Sequence, residues 1–223
     1  MLYLNISQNN KTEDIRVGMH GVFELRFWDK VKGFMFDPTE TFNGVKDEDW
    51  GNSLNHYAKS LVIYALLQTA IFVSGFVVLM SFIVAFVPFP VPFLEIFAGP
   101  FAILWFILII LGGLFSILPS SLWMHIWIYV VGGRKGVGQT VKSLAYGSTP
   151  SLLLSWIPLV GIIFQIWSMG VSIIGIRQLH EISTERAIFA FIFGAIIVPA
   201  TILVAVYLVV LYAGLLAGLH SLV

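Results

Sequence analysis

Side chains that could carry acid–base, metal or nucleophile chemistry are scarce in this sequence. The five histidines, at positions 20, 56, 125, 180 and 220, show no spacing typical of metal ligands. His180 and Glu181 begin as the helix of a zinc protease would, but Thr184 takes the position of the second histidine. We therefore predict no metal site, no cofactor and no catalytic residue, and we expect the protein not to be an enzyme.

A glycine-rich segment at 133–140 has the outline of a phosphate-binding loop. Gln139 stands where a lysine should contact the phosphates, and no buried strand precedes the segment, so we interpret it as a turn between helices. Intramembrane hydrolysis would need a Ser-His pair, two aspartates or zinc. No aspartate follows Asp49, and no Gly-x-Ser-x-Gly motif occurs. Ser-His pairing stays open, and an intramembrane hydrolase is our third functional hypothesis.

The composition indicates a membrane protein. Hydrophobic residues make up 58% of the 223 residues and charged ones 11%, whereas soluble domains carry about 25% charged residues. A soluble single-domain enzyme is therefore excluded. The 12 basic residues balance the 12 acidic ones, so the chain has no general basic field for nucleic acid.

Four uncharged runs, 60–94, 96–133, 143–176 and 187–223, are each long enough to cross a bilayer. Backbone groups in hydrocarbon must be paired within the segment, so the runs predict helices. The predicted fold is all-α, a polytopic transmembrane helix bundle. We expect a first span at 61–86, an extended connector at the prolines 88, 90 and 92, and a second helix at 101–131. Pro100 should open that second helix and Gly132–Gly133 should end it, and the last helix should cover 187–219.

The third run decides the number of passes. It can form one tilted pass or a hairpin broken around Pro158–Gly161, with a first arm interrupted at 147–150. Basic residues near spans stay on the cytoplasmic side. Only the hairpin, with five spans in total, places Arg134, Arg177 and Arg186 on one side together with the N-terminus. We therefore predict a multi-pass protein of a prokaryotic cell membrane, with the N-terminus cytoplasmic and the C-terminus outside.

Residues 1–59 form a predicted cytoplasmic arm, and residues 60–223 form the membrane domain. Five arm residues recur at helical spacing with charges between them: Val22, Leu25, Trp28, Val31 and Met35. The pattern fits an amphipathic helix on the membrane surface or one packed on the cytoplasmic ends of the spans, and we leave both open. Asp47, Glu48 and Asp49 precede Trp50 and predict a solvated turn.

His125 is the one ionisable side chain well inside a predicted span. It can anchor at the interface beside two tryptophans, or it can form a polar or proton-sensitive site in the bundle. Small residues also repeat four apart, which lets helices approach closely. Such pairs start at Ser168, Ala190, Ala213 and Gly214, and they fit a single bundle and a homo-oligomer equally.

Several short segments together resemble the Yip family, five-span membrane proteins named for interaction with Ypt/Rab GTPases. They are residues 36–42 (Phe-Asp-Pro-Thr-Glu-Thr-Phe), 132–134 (Gly-Gly-Arg), 146–150 (Tyr-Gly-Ser-Thr-Pro), 166–168 (Ile-Trp-Ser) and 174–176 (Ile-Gly-Ile). The resemblance extends from about residue 33 to the end of the sequence. The segments are similar to those of prokaryotic members of the family. It implies a non-enzymatic protein. The chain lacks the Asp-Leu-Tyr-Gly-Pro motif of eukaryotic members, so we do not extend their GTPase binding to it.

The leading hypothesis is an integral membrane protein that organises the membrane or partner proteins, in a trafficking-like scaffold, through helix faces and its cytoplasmic surface. Its partners would be the lipid bilayer and other membrane proteins or further copies of itself. The candidate interaction or structural positions are Asp37, Pro38, His125, Arg134, Tyr146, Pro150 and Arg177. The alternative hypothesis is a small-solute or lipid transporter or channel, with proline kinks around His125.

Overall fold

The computed structural model describes residues 27–86 and 92–220, and every regular element in these two ranges is helical. This confirms the all-α class. The elements are α1 (Phe27–Phe36), α2 (Pro38–Gly44), α3 (Trp50–Phe86), α4 (Pro92–Val130), α5 (Val137–Gly147), α6 (Thr149–Leu154), α7 (Val160–His180), α8 (Thr184–Ile192), a π-helical turn (Phe193–Ile197) and α9 (Val198–His220). The last three follow one another without a break and form one long helical segment.

Within the described residues, four stretches are long and apolar enough to cross a membrane: Trp50–Phe82, Gly99–Val130, Val160–His180 and Thr184–Tyr212. Their outward sides carry leucine, isoleucine, valine and phenylalanine that no other helix of the described residues covers. Burial of such faces in lipid is favourable, whereas water would leave them exposed. The protein is therefore an integral, multi-pass membrane protein.

The third uncharged run folds back on itself, because the chain turns between α6 and α7 at residues 155–159. The carboxylate of Glu181, just after α7, accepts hydrogen bonds from Lys46 and Lys135, which lie before α3 and before α5. The end of α7 thus returns to the end of the bundle from which α5 leaves. Helices α5 and α6 together form the first half of the hairpin, which is interrupted at Ser148. Each of these two helices is shorter than a membrane span. The count of five passes stays a prediction.

Two helix starts differ from the sequence predictions. Helix α3 begins at Trp50, inside the predicted arm, because the Asp49 side chain accepts the backbone N–H of Gly51 and caps the first turn. Helix α4 begins at Pro92, so Pro100 lies within it and does not open it. The predicted end of α4 is confirmed, since Gly132 follows it with a φ of +102°. Most of the expected proline connector, residues 87–91, lies outside the described residues.

The arm packs against the hairpin and not on lipid alone. Helix α1 contacts α2 and α6, and α2 lies along α7. Their shared core consists of Phe34, Phe42, Val45, Tyr146, Val171 and Leu179. Of the predicted apolar face, Val31 is buried and Trp28 is 60% exposed, while Val22 and Leu25 lie outside the described residues. The prediction of a solvated turn at 47–49 is wrong for Glu48, because its side chain is buried against the arm.

Two of the small-residue pairs lie at helix contacts. Ser168 and Ser172 of α7 are buried, and Ser172 lies against Gly147 of α5. The second pair is Ala190 and Gly194. A Cβ atom at Gly194 would stand 2.8 Å from the Trp127 ring, so this pair lies where the last helical segment crosses α4. The side chains of the pairs at 213–218 lie outside the described residues.

Replacing Gly147 with alanine is expected to destabilise the fold by about 1–3 kcal/mol, the usual cost of overpacking a core. A Cβ atom there would stand 2.7 Å from Ser172 Cα, so the two backbones would have to separate. The measurement is the thermal unfolding temperature in detergent. Gly170→Ala is the matched control, because no atom of another described segment lies within 4 Å of its Cβ position. An equal loss in both variants would contradict the prediction.

Candidate functional site

A buried polar cluster fastens the arm to the hairpin. Lys30 of α1 reaches Glu48, with 2.6 Å between Nζ and Oε2, and donates to the Tyr146 hydroxyl over 3.1 Å. That hydroxyl in turn donates to Glu48 Oε2 over 2.7 Å. The Lys30 and Glu48 side chains are 8% and 2% exposed, so water solvates neither charge. We call Lys30, Glu48 and Tyr146 the arm lock.

A second lysine closes the same junction from the hairpin side. Lys142 of α5 points its ammonium at the backbone carbonyls of Val45, Lys46 and Glu48, at 3.4, 2.6 and 2.9 Å. These carbonyls belong to the chain between α2 and α3, which forms no regular element of its own. Because an ammonium has three donors, Lys142 can hold all three carbonyls and fix the path of this linker.

Next to the arm lock, an exposed ion cluster joins three connecting segments. Glu181 accepts from Lys135 over 2.5 Å and also from Lys46. The hydrogen bonds from Lys135 and then Lys46 lower the pKa of Glu181 from 4.5 to about 2. The segment before α3, the turn before α5 and the turn after α7 are thereby held together at one end of the bundle. We call this end, with α1 and α2, the arm face.

The exposed cluster predicts a pH-dependent contribution of Glu181. Its pKa is lower in the folded protein, so the stabilisation is present above about pH 4.5 and is lost as the pH falls toward about 2. We expect Glu181→Gln to lower the unfolding temperature slightly at neutral pH, and the difference to shrink on acidification and in high salt. A difference that stays constant with pH would contradict this assignment. The control is Glu185→Gln, an exposed glutamate in the first turn of α8.

Two histidines share one hydroxyl beneath the arm face. Thr140 Oγ1 lies 2.8 Å from His125 Nδ1 and 3.0 Å from His180 Nε2. A hydroxyl has a single proton, so it can donate to only one of the two rings, and at least one ring must donate an N–H to it. The tautomers of the two histidines are therefore coupled. His125 thus has a polar contact in the bundle. The sequence alone did not decide between such a contact and anchoring at the membrane interface beside Trp123 and Trp127.

The other candidate positions fall around the arm face. Asp37 caps α2 by accepting from the Glu40 N–H, and buried Pro38 occupies its first turn. Arg177 of α7 donates to Thr39 of α2 over 3.4 Å. Arg134 lies over the ring of Tyr129, with 3.6 Å between its guanidinium carbon and the ring centroid. Tyr146 and Pro150 are fully buried in the hairpin.

Sequence reasoning did not select Lys30, Glu48, Lys142 or Thr140 as site residues. The arm lock joins positions 98 and 116 residues apart, and local spacing carries no information about such contacts. One signal was present, because a lysine at 142 marks the entry of an otherwise uncharged run. Among the described residues, no group of three histidine or acidic side chains could hold a metal ion.

Comparison with known proteins gives one family. The Yip1 domain matches residues 32–218 of the chain. This range includes Glu48 and Tyr146 of the arm lock, the hairpin and all four apolar stretches, and it begins two residues after Lys30. No curated protein matches, and no solved structure does either. Since the match covers most of the 223 residues, the chain belongs to the Yip1 domain family.

Proposed function

We propose that the protein is a non-enzymatic scaffold that organises other membrane proteins, or further copies of itself, through the arm face. The observation that carries this proposal is the arm lock. A buried ion pair is costly to form unless its geometry is good, and its best-attested role is to fix one arrangement among several. Here it fixes the arm on the hairpin. The arm, the segment before α3, the turn before α5 and the turn after α7 then present one fixed surface.

The chemistry of the arm face supports protein contacts. It displays both signs of charge close together, including Asp37, Arg134 and the Glu181 cluster, and these remain exposed. Complementary charge patterns give partner specificity and orientation more than raw affinity. A preformed surface also avoids the entropy cost of ordering a flexible tail on binding.

Photo-crosslinking in native membranes tests this proposal. A benzophenone amino acid replaces Asn43 in α2 or Glu185 in α8, both exposed on the arm face. The control position is Val78 of α3, which is 70% exposed and lies in an apolar stretch. We expect discrete protein adducts of reproducible mass from the first two positions and lipid adducts from the third. A protein that stays monomeric and without protein adducts at all three would overturn the proposal.

We also propose that the arm face lies on the cytoplasmic side of a prokaryotic cell membrane, with the C-terminus outside. The support is the excess of lysine and arginine at this end, which follows the positive-inside tendency. The chain contains no cysteine, so single cysteines can report orientation. Ser183→Cys, at the exposed turn after α7, is expected to react with a membrane-impermeant maleimide only in inverted vesicles. Labelling in intact cells would contradict this orientation.

A further inference from the structure

A cavity of about 700 Å³ lies between the helices, away from the arm lock. All four apolar stretches contribute to its lining, for instance through Tyr57, Ser120, Ser168 and Ala195. Its volume is within the range of pockets that hold a small-molecule ligand. Several lining residues, including Ser120, Gln165 and Ala195, are exposed on the outside of the bundle. The cavity is therefore open sideways, toward the lipid.

The lining is largely apolar, and the polar side chains within it are uncharged. Among the described residues, the lining contains six serines and one glutamine, and no lysine, arginine, aspartate, glutamate or histidine. His125, which the transporter hypothesis placed at the centre of a site, does not line it. A phosphate or an ammonium group would lose its hydration here without gaining a counter-charge, which is costly. The cavity thus favours an uncharged ligand.

Three of the six serine hydroxyls in the lining offer only acceptors to a ligand, whereas Ser168 accepts the Ser151 N–H and keeps its own proton. Ser116, Ser148 and Ser151 each donate their proton to a carbonyl three residues earlier, at 3.0, 2.9 and 2.9 Å. A serine oxygen that donates in this way keeps its lone pairs, so it can accept from a ligand. A ligand with a free hydroxyl meets this arrangement better than one with only ester carbonyls.

The backbone around the cavity is irregular in two of the four stretches. Pro119 and Pro199 both line it, and a proline leaves the carbonyl four residues earlier without its helical N–H partner. The π-helical turn just before Pro199 adds a further irregularity, and Trp123 donates to the Gly194 carbonyl there over 2.8 Å. π-Helical turns occur often at functional sites. Irregular backbone at membrane depth is tolerated where it lines a cavity.

The cavity lies deeper than the glycerol region of a phospholipid. Ser168 precedes Arg177 by nine residues, which is about 14 Å along the helix. Arg177 contacts the arm through Thr39 and so marks the polar end of α7. The headgroup region is only about 5–8 Å thick on each side, because the hydrocarbon core is about 30 Å thick within about 40–45 Å of bilayer, so Ser168 lies inside the hydrocarbon core. A lipid without a charged headgroup can bring a hydroxyl to this depth, whereas a charged headgroup would lose its hydration there.

We propose that this cavity binds an uncharged, hydroxyl-bearing glycerolipid of the diacylglycerol type from the surrounding leaflet. The glycerol hydroxyl donates to the serine oxygens, and the acyl chains leave sideways past Ser120 and Met169 into the bilayer. This inference does not rest on the scaffold function, which concerns the opposite, charged part of the hairpin.

The test is photolabelling of the full chain in lipid nanodiscs with a diacylglycerol that carries a diazirine near the glycerol. We expect adducts on residues 116–123 of α4 and 165–172 of α7. Unlabelled diacylglycerol should compete, whereas phosphatidic acid and phosphatidylglycerol of the same chains should not. Adducts spread evenly over the apolar stretches, or equal competition by the charged lipids, would overturn the proposal.

Matched variants sharpen this test. The double variant Ser120→Leu, Gln165→Leu fills the mouth of the cavity at two exposed positions, so folding is expected to be retained. Labelling should fall about tenfold, as for the loss of one or two hydrogen bonds. Ser74→Leu is the control, since this exposed α3 serine donates to its own helix at Ala70 and does not line the cavity. Equal labelling of the double variant and the control would contradict the site.

Discussion

Replacing Glu48 with alanine is expected to free α1 from the hairpin and to destabilise the folded protein by about 3–5 kcal/mol. The substitution leaves the ammonium of the Lys30 side chain, which is 8% exposed in the native protein, without its carboxylate. It also removes the acceptor of the Tyr146 hydroxyl. Since a buried unpaired charge is worse than none, the arm should detach so that Lys30 regains water.

Cysteine accessibility measures this release directly. Val31→Cys places a thiol on the buried side of α1, where the native side chain is 6% exposed. Maleimide should label it slowly in an otherwise unchanged chain and rapidly when Glu48→Ala is added. Asp47→Ala is the control, because this neighbouring carboxylate is exposed and should cost less than about 0.5 kcal/mol.

A rescue variant separates the charge from the loss of packing. Lys30→Met combined with Glu48→Met removes both charges and keeps most of the volume. Replacement of a buried ion pair by apolar residues is often neutral or stabilising, so we expect unfolding near that of the unmodified chain. Unfolding of the rescue variant as low as that of Glu48→Ala would mean that the ion pair does not account for the effect.

Phe34→Ala is the second substitution with a large expected effect, about 3–5 kcal/mol from lost burial and the cavity left behind. Phe34 is 0% exposed, and its ring stacks on Tyr146 with 4.7 Å between centroids and lies 4.8 Å from the Phe42 ring. It therefore joins α1, α2 and α5 in one core.

The matched control for Phe34 lies two residues further along the same helix. Phe36 is 82% exposed, so Phe36→Ala removes the same side chain without opening a buried cavity. Unfolding temperatures of the two variants in detergent should differ clearly, with Phe36→Ala close to the unmodified chain. Similar losses at both positions would show that α1 is not packed as the structure has it.

The large-scale architecture could be predicted because it follows from where charges are missing. Uncharged runs longer than a bilayer core can only be helical, and the four apolar stretches of the structure fall within or close to the predicted runs. The starts of α3 and α4 could not be predicted from the same argument. A polar helix turn outside the membrane, such as the one capped by Asp49, carries no apolar signal.

The arm lock shows why the site was harder to predict than the spans. Periodicity assigned Trp28 to the buried face of α1 and Lys30 to the polar face. In the structure, the buried face of α1 consists of Lys30, Val31 and Phe34. This face is rotated about the helix axis relative to the face that the apolar spacing predicted. A lysine is counted as polar in any pattern, so its burial becomes visible only when its partner, 18 residues further along, is known. Tyr146 was selected through the family resemblance and not through spacing.

The arm lock also has a consequence for the order in which the chain is made. Lys30 leaves the ribosome 116 residues before Tyr146, the side chain it meets in the folded protein. At about 5–20 residues per second, this corresponds to a delay of roughly 5–25 s. During this time α3 and α4 are inserted into the membrane. The side chains of Lys30 and Phe34 do not yet have their partners on the hairpin. Docking of the arm can therefore report that the hairpin has entered the membrane, which makes it a late step of biogenesis.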